Sequence, residues 1–391
     1  MKGKTLAIVT CILDDWGGSE ELWAKSVAYL RQRHDLSITV YKNRINRDHP
    51  EFKKLVSDNV LLRELRPKQK LLKSLVLKAN ELLDRIFDKL GLHEYQWNKS
   101  VQVLQRHLQF NRPDLVIISQ GINFDGLAYA NQCLRLKIPY VIVSHKAVNF
   151  YWPQPADRTY MKEALRNAEK CFFVSHHNRR LTEEQFGLKL FNSDIVVNPI
   201  QAGLKVLPFP EIKHGYRLAC VGRLFVIDKG QDMLLRILAK PKWKRRNIII
   251  SFFGNGPDKE GLIEMSNLLG LENVIFSGYG EDINDIWATH HALILPSRSE
   301  GLPLTLIEAM YLGRTAIVTN AGGNNEVIQH GVTGFVAEAN EADLDNVMEF
   351  AWQNRDSWES MGRIASEYIH QKIPVNPEQK FANYIIDLLN E

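Results

Sequence analysis

A chain of 391 residues is long enough for about two domains, each with its own core. Hydrophobic residues at 45% and charged residues at 24% exclude a disordered chain, and a net charge of +4 is too small to indicate nucleic acid as a partner. Four cysteines, Cys11, Cys133, Cys171 and Cys220, lie far apart with no CxxC pair, which points to buried free thiols in a reducing compartment.

The first stretch, "MKGKTLAIVTCILDDWGG", has basic residues before a short apolar run, but acids follow at once and no small-residue cleavage site appears. It reads as a first strand and not as a leader. "TLAIVT", "LSITVY", "LVIISQ", "YVIVSH" and "CFFVS" are short continuous apolar runs, the pattern of strands covered on both faces of a parallel sheet. Between Leu61 and Leu92 the rhythm changes: Leu72, Leu75, Leu82, Ile86 and Leu90 recur near one helical face. From Arg63 to Lys78 six basic residues, Arg63, Arg66, Lys68, Lys70, Lys73 and Lys78, stand against the single acid Glu64. A core-packing helix with a solvated basic face is the favoured reading, and a helix resting on an anionic membrane surface is the other.

A second series follows in "RLACVG", "NIIISFFG", "NVIFSG", "ALILPS" and "TAIVT", again with helical patterns between the runs. Two such series predict two doubly wound α/β domains. The junction falls in Asn198 to Gly215, where three prolines interrupt the pattern. The expected division is 1–200 for the first domain, completed by a C-terminal helix over 376–391, and 201–375 for the second, with a cleft between them. No apolar run approaches the roughly 20 residues of a membrane helix, so a cytoplasmic chain, with at most peripheral contact at the cytoplasmic membrane face, is expected.

The most informative stretch is "SRSEGLPLTLIEAM", Ser297 to Met310, in which Glu300 and Glu308 flank a Gly-Leu-Pro turn. Pro303 suits the first turn of a helix because it has no amide hydrogen to lose, and Gly313 suits its end. The free amides and the dipole of that helix start suit an anion such as phosphate. The two carboxylates would repel it, so they suit hydroxyls of a sugar or ribose, which donate strong hydrogen bonds to them. A nucleotide sugar combines both features; the plainer alternative is a turn cap at Glu300 and a helix-favouring acid at Glu308. In "CVGRLFVIDKGQDML" a strand ends at Val221, and Arg223 and Lys229 follow where open α/β sheets bind ligands. Arginine can grip a diphosphate through its planar fork and lysine adds a point charge.

Together these segments resemble the family 4 retaining glycosyltransferases of GT-B fold. The resemblance is carried by "VGRL" with Lys229-Gly230, "FFGNGP", "VIFSGY", "SEGLPLTLIEAM" with seven residues between its glutamates, and "AGGNNEVIQHGVTGFV". It is dense from about Val221 to Val336 and thinner in the first domain, where it rests on "GGSEELW", "VSH" at His145 and "NP" at Asn198. It implies that Arg223 and Lys229 hold the diphosphate and offset the charge that builds as the sugar leaves. It further implies that Glu308 binds the ribose, that Glu300 binds the transferred sugar, and that amides near Leu302 and Leu304, with Pro303 between them in the donor site, complete it. Gly17 and Gly18 would let backbone approach the donor phosphates, Tyr279 would lie near the base, and His145 would reach the donor sugar. The other readings are an ordinary turn at Gly17-Gly18, an exposed strand-end aromatic at Tyr279 and a structural histidine at His145.

Competing chemistries find little support. The Asp343-Leu344-Asp345 triplet falls in a predicted surface helix and not at a strand end, so a metal-dependent sugar transferase is not indicated. "FGNGPDKEG" has Asp258 and Lys259 where a dinucleotide fingerprint needs its third glycine. "SHHN" at His176 and His177 reads as a loop without metal-ligand spacing, and Ser175 has no nucleophile elbow around it. The expectation is therefore a metal-independent hexosyltransferase without a cofactor, with a nucleoside diphosphate sugar as donor, UDP-sugar before GDP-sugar. Its acceptor would be a saccharide or glycolipid, as in polysaccharide or lipopolysaccharide synthesis, with Phe150, Tyr151 and Trp152 available to stack on sugar rings. A catalytically silent nucleotide-sugar binding subunit, or an epimerase or phosphorylase on the same fold, are the alternatives.

Overall fold

The computed structural model describes residues 3–33, 36–66, 93–200, 205–213, 215–279, 282–374 and 376–390. The chain divides into two compact units, Met1–Pro199 with Asn376–Glu391, and Ile200–Val375.

Among the described residues the first unit holds seven strands: β1 (Lys4–Thr10), β2 (Leu36–Lys42), β3 (Leu61–Glu64), β4 (Leu115–Gln120), β5 (Tyr140–Ser144), β6 (Lys170–Phe173) and β7 (Ser193–Ile195). They form one parallel sheet in the order β3-β2-β1-β4-β5-β6-β7. The continuous apolar runs have a direct physical cause. Leu115 and Ile117 of β4 enter a core with Leu6, Ile8 and Val141, whereas Val116 and Ile118 enter the opposite core with Ala7, Val9 and Ile142. Neither face of β4 meets water, so both register positions from Leu115 to Ile118 are apolar.

The C-terminal helix Pro377–Asn390 packs against the helix Gly18–Arg33. It buries Phe381, Ile385, Ile386 and Leu389 in the first unit's core, and Phe381 meets Phe172 edge-on at 5.2 Å. Each such side chain contributes about 1.5–3 kcal/mol relative to exposure.

The second unit holds β8 (Tyr216–Val221), β9 (Ile248–Phe253), β10 (Val274–Gly278), β11 (Ala292–Leu295), β12 (Thr315–Thr319) and β13 (Phe335–Ala337). These also lie parallel, in the order β10-β9-β8-β11-β12-β13. In each sheet the strand order reverses once, at β1/β4 and at β8/β11. Loops leaving the carboxyl ends of strands on either side of such a reversal diverge and leave room for a ligand. This is the two-unit parallel architecture of the GT-B fold.

Several local expectations are corrected. Leu61–Glu64, read as the beginning of a helical stretch, is β3: it pairs in parallel with Thr39–Lys42, burying Leu62 while Leu61 faces out. Arg66 is engaged by Ser100 Oγ at 2.6 Å and Asn98 Oδ1 at 3.2 Å. The helix proposed for Leu72 to Leu90, with Lys68, Lys70, Lys73 and Lys78, lies outside the described residues. "SHHN" is not a loop, because Ser175 accepts the Asn178 amide hydrogen at 3.1 Å and thereby caps the helix His176–Phe186. Asp345 is not on a surface. It turns inward from the helix Glu341–Gln353 to accept from Trp243 Nε1 at 2.6 Å, with Lys240 and Lys242 at 3.0 and 2.9 Å.

Candidate active site

In the second unit the site is built at the β8/β11 reversal. After β8 the chain passes Arg223 and makes the short helix Val226–Lys229, then turns at Gly230 in a left-handed conformation, φ 62°. A Cβ there would lie 2.0 Å from the Pro296 carbonyl oxygen, so only glycine lets the two loops approach this closely. The consequence is a pairing that spacing could not show. Lys229 Nζ donates to Glu300 Oε1 at 2.6 Å, and Ser297 Oγ donates to the same oxygen at 2.7 Å. The Glu300 side chain is 6% exposed and that of Lys229 22%, so this is a largely desolvated ion pair.

The loop carrying Glu300 is fixed by residues that sequence reasoning passed over. The amides of Arg298 and Ser299 both donate to the Asp228 carbonyl, at 2.7 and 3.0 Å, and Ser299 Oγ reaches Asp228 Oδ1 at 2.7 Å. Arg298 grips Asp232 with two parallel bonds of 2.7 and 2.9 Å. Burial pushes the Asp232 carboxyl up, but hydrogen bonds and charge from Arg298 and Arg236 outweigh it and hold the group below its usual range. From the other side Gly323 N donates to the Gly301 carbonyl at 2.7 Å, and Gly322, φ 58°, packs where a Cβ would fall 2.1 Å from the Glu300 carbonyl oxygen. The "AGGN" loop thus seats the "SEGL" loop. Its small residues were legible in the sequence, but their partner was not.

The helix Leu304–Tyr311 begins one residue later than expected. Pro303 is extended, φ −70° and ψ 124°, and serves as the cap whose carbonyl receives the amides of Leu306 and Ile307. Leu302 and Leu304 flank it. Thr305, in the first turn, has a buried hydroxyl without a partner among the described residues. Glu308 is half-buried one turn further along the helix, and Gly313, φ 79°, follows its end. Arg223 is exposed, its guanidinium 5.2 Å from the Phe225 ring. Tyr279, 85% exposed after β10, is set apart from this group by β9.

In the first unit the corresponding reversal lies between β1 and β4. Gly17 and Gly18 open the helix Gly18–Arg33, whose Glu20 is fully buried. Glu20 receives the Thr10 hydroxyl and Ser19 Oγ, and stands 3.7 Å from Lys42 Nζ. Lys42, itself 2% exposed, donates to the Ile12 carbonyl at 2.7 Å and so ties down the loop before the glycines. Burial pushes the Glu20 carboxyl up and the Lys42 ammonium down, each offset in part by the other's charge. His145 follows β5, 7% exposed, with Nε2 3.2 Å from Ser119 Oγ. Burial drives its pKa down to about 3, offset only in part by the Asn198 side chain, so the imidazole is neutral at physiological pH. Phe150, Tyr151 and Trp152 are 62, 49 and 57% exposed, and Tyr151 stacks on Phe124 at 5.5 Å.

The described residues contain no group of three or more His, Cys, Asp or Glu able to hold a metal ion. No helix among them is long and apolar enough to cross a membrane. All four cysteines are buried and unpaired with one another.

Residues 209–368 match the family model described as glycosyl transferases group 1. An uncharacterized glycosyltransferase of Haemophilus influenzae is 27% identical over 252 residues, 62% of this chain and 66% of that protein. A GDP-mannose-dependent alpha-(1-6)-phosphatidylinositol monomannoside mannosyltransferase of Mycobacterium tuberculosis is 31% identical over 179 residues, 41% of this chain and 46% of that one. The chain thus spans about half to two thirds of the length of these curated relatives. Among solved structures, Anabaena Alr3699/HepE in complex with UDP and glucose superposes with a TM-score of 0.70 at 17% identity, covering 97% of this chain and 98% of that one. The lipopolysaccharide outer core galactosyltransferase WaaB does so at 0.66 and 19%, covering 98% and 99%. At these identities the superpositions establish the fold.

Proposed function

We propose that this chain, whose residues 209–368 match the family model of the group 1 glycosyl transferases, transfers a sugar from a nucleoside diphosphate donor to a hydroxyl of a saccharide or glycolipid acceptor, with retention at the anomeric carbon. The observation that carries the reading is the buried Lys229–Glu300–Ser297 cluster at the β8/β11 reversal, next to the loop of Arg223. The second unit is the donor side and the first the acceptor side.

Arg223, Lys229 and the start of the helix Leu304–Tyr311 offset the negative charge that develops on the departing diphosphate. The bond from the anomeric carbon to the phosphate oxygen breaks and its electron pair leaves with the diphosphate. The acceptor oxygen bonds to the same face, and its proton passes to the departing phosphate oxygen. Glu300, oriented by Lys229 and Ser297, accepts from a hydroxyl of the transferred sugar, and Glu308 accepts from the ribose. Gly17 and Gly18 admit backbone to the phosphates, and Tyr279 lies beside the base. The exposed Phe150, Tyr151 and Trp152 provide apolar faces for acceptor rings. The positive charge is supplied by side chains and a helix terminus, so activity persists in chelator.

A screen of UDP- and GDP-sugars tests the proposal, since HepE holds UDP and the mycobacterial relative depends on GDP-mannose. The expected outcome is donor turnover with one base, stimulated by saccharide acceptors, unchanged by chelator, and with retained configuration in the product by NMR. Absence of calorimetric binding to every nucleoside diphosphate sugar would refute it. Tight binding without turnover would identify a silent binding subunit instead.

A further inference from the structure

The stretch "FFGNGP" has no part in the roles above. It leaves the end of β9, the neighbour of β8 in the sheet, with Phe253 opposite Val221, so its loop runs beside the loop of Arg223. The two loops meet backbone to backbone. Leu224 N donates to the Asn255 carbonyl at 3.0 Å, and Asp258 N donates to the Leu224 carbonyl at 3.2 Å. A Cβ on Gly254 would fall 2.1 Å from the Gly222 carbonyl oxygen, and one on Gly256 would fall 2.1 Å from that of Leu224. The glycines that do not complete a dinucleotide fingerprint therefore admit one loop to the other.

Asp258 makes a contact that its own element does not require. It stands at the start of the helix Lys259–Leu268, where an aspartate ordinarily accepts from the first amides of its own helix, and its side chain makes no such bond. Its Oδ2 instead accepts the Val226 amide hydrogen at 2.8 Å, across 32 residues, and so caps the short helix Val226–Lys229. With the amide bond to Leu224, Asp258 thus holds the backbone on both sides of Phe225. Gln231, 1% exposed, adds a third hold: its Nε2 donates to the Arg223 carbonyl at 2.8 Å, while its Oε1 is buried without a partner among the described residues. A buried carbonyl without a donor costs stability, so packing alone does not account for a glutamine at this position.

We infer that Asp258 and Gln231 are positioning residues for Arg223, acting through a loop that the "FGNGP" turn receives. The Arg223 side chain is exposed, so its reach is set by where its backbone is held. Lys229 is secured separately by Glu300 at 2.6 Å, and loss of either hold therefore falls mainly on Arg223. The inference rests on the proposed transfer reaction for what Arg223 does there. The contacts that place it lie within the second unit and do not depend on that reaction.

The hold can be read without any activity, by hydrogen exchange at the Leu224 and Val226 amides. Both should be protected in the unsubstituted protein, and Val226 should exchange about tenfold faster in Asp258→Ala, the scale of one lost hydrogen bond. Unprotected amides in the unsubstituted protein would overturn the inference. With a donor identified, Asp258→Ala should lower kcat about tenfold with little change in the donor KM, because Arg223 acts on charge that builds only as the sugar leaves. Asp258→Asn, which keeps an acceptor oxygen for Val226, should restore most of the loss. In the Arg223→Ala background Asp258→Ala should cost no more than about threefold, since the group it positions is gone. Gln231→Met, close in volume and without the unsatisfied carbonyl, should leave the melting temperature unchanged or raised and lower kcat with the same dependence on Arg223; it carries the test where Asp258→Ala does not fold. Full kcat in a folded variant, or equal losses with and without Arg223, would remove the replaced residue from this role. Failure of the unsubstituted protein to bind any nucleoside diphosphate sugar would instead refute the transfer reaction and leave the exchange measurement standing.

Discussion

The two strand-order reversals are solved in opposite ways. At β8/β11 one oxygen of the candidate carboxylate is held: Glu300 has a lysine and a serine on Oε1, and its loop is fastened by Asp228, Asp232 and Gly323. At β1/β4 and the adjoining end of β5, buried polar atoms of Gln120 and Ser144 have no partner among the described residues, and three aromatics are exposed. Preorganised charge is worth most where the reacting group is always the same, as a diphosphate is. Unfilled hydrogen-bonding capacity belongs where a ligand supplies the complement. The family resemblance, dense in the second unit and thin in the first, follows the same division.

The largest effect should come from breaking the engaged pair. Lys229→Met would leave Glu300 buried without its counter-charge, with a stability loss on the order of 3 kcal/mol by urea unfolding and no measurable transfer. Unchanged unfolding would mean that the pair is not desolvated in solution. Arg223→Ala should separate activity from folding, because this side chain is exposed: transfer should fall about a hundredfold with unfolding little altered. A folded Arg223→Ala enzyme at full rate would exclude the residue from charge stabilisation.

The two acids sharpen the division within the proposed donor site. Glu308→Ala should weaken free nucleoside diphosphate about tenfold in calorimetry, the loss expected of a hydrogen bond to a carboxylate. Glu300→Ala should leave that affinity nearly intact and impair transfer. Equal losses of affinity would contradict their separate assignments.

A separate effect concerns the first unit and depends on pH. Asp125 accepts from the amides of Gly121 and Ile122, both at 3.1 Å, yet its Oδ1 is buried without a partner among the described residues. Burial raises its pKa from 3.8 to about 7, offset in part by those amides. Between those values the folded state keeps a proton that the unfolded chain has lost, so this contribution to stability is present at low pH and disappears as pH rises to about 7. Asp125→Asn, which imitates the protonated group, should therefore raise the melting temperature at pH 8 and leave it nearly unchanged at pH 5. An equal change at both would show that the carboxyl does not titrate there.

Much of the architecture follows from the sequence alone. Val116 and Ile118 alternating with Leu115 and Ile117 fit a strand covered on both faces, and ten such runs in two series, with helical patterns between them, indicate two parallel α/β units. The short strands β3, β7 and β13 carry no such run, because edge strands of three or four residues expose alternate positions and look like loops. The candidate residues Arg223, Lys229, Glu300 and Glu308 were legible from charge and position at strand and helix ends. Their partners were not: Lys229 and Glu300 are 71 residues apart, Ser119 and His145 are 26, and Asp345 reaches Trp243 across 102. Local spacing fixes which way a side chain points from its own element. Which distant side chain it meets depends on β8 lying next to β11 and β4 next to β5, and that order is decided only when the strands assemble.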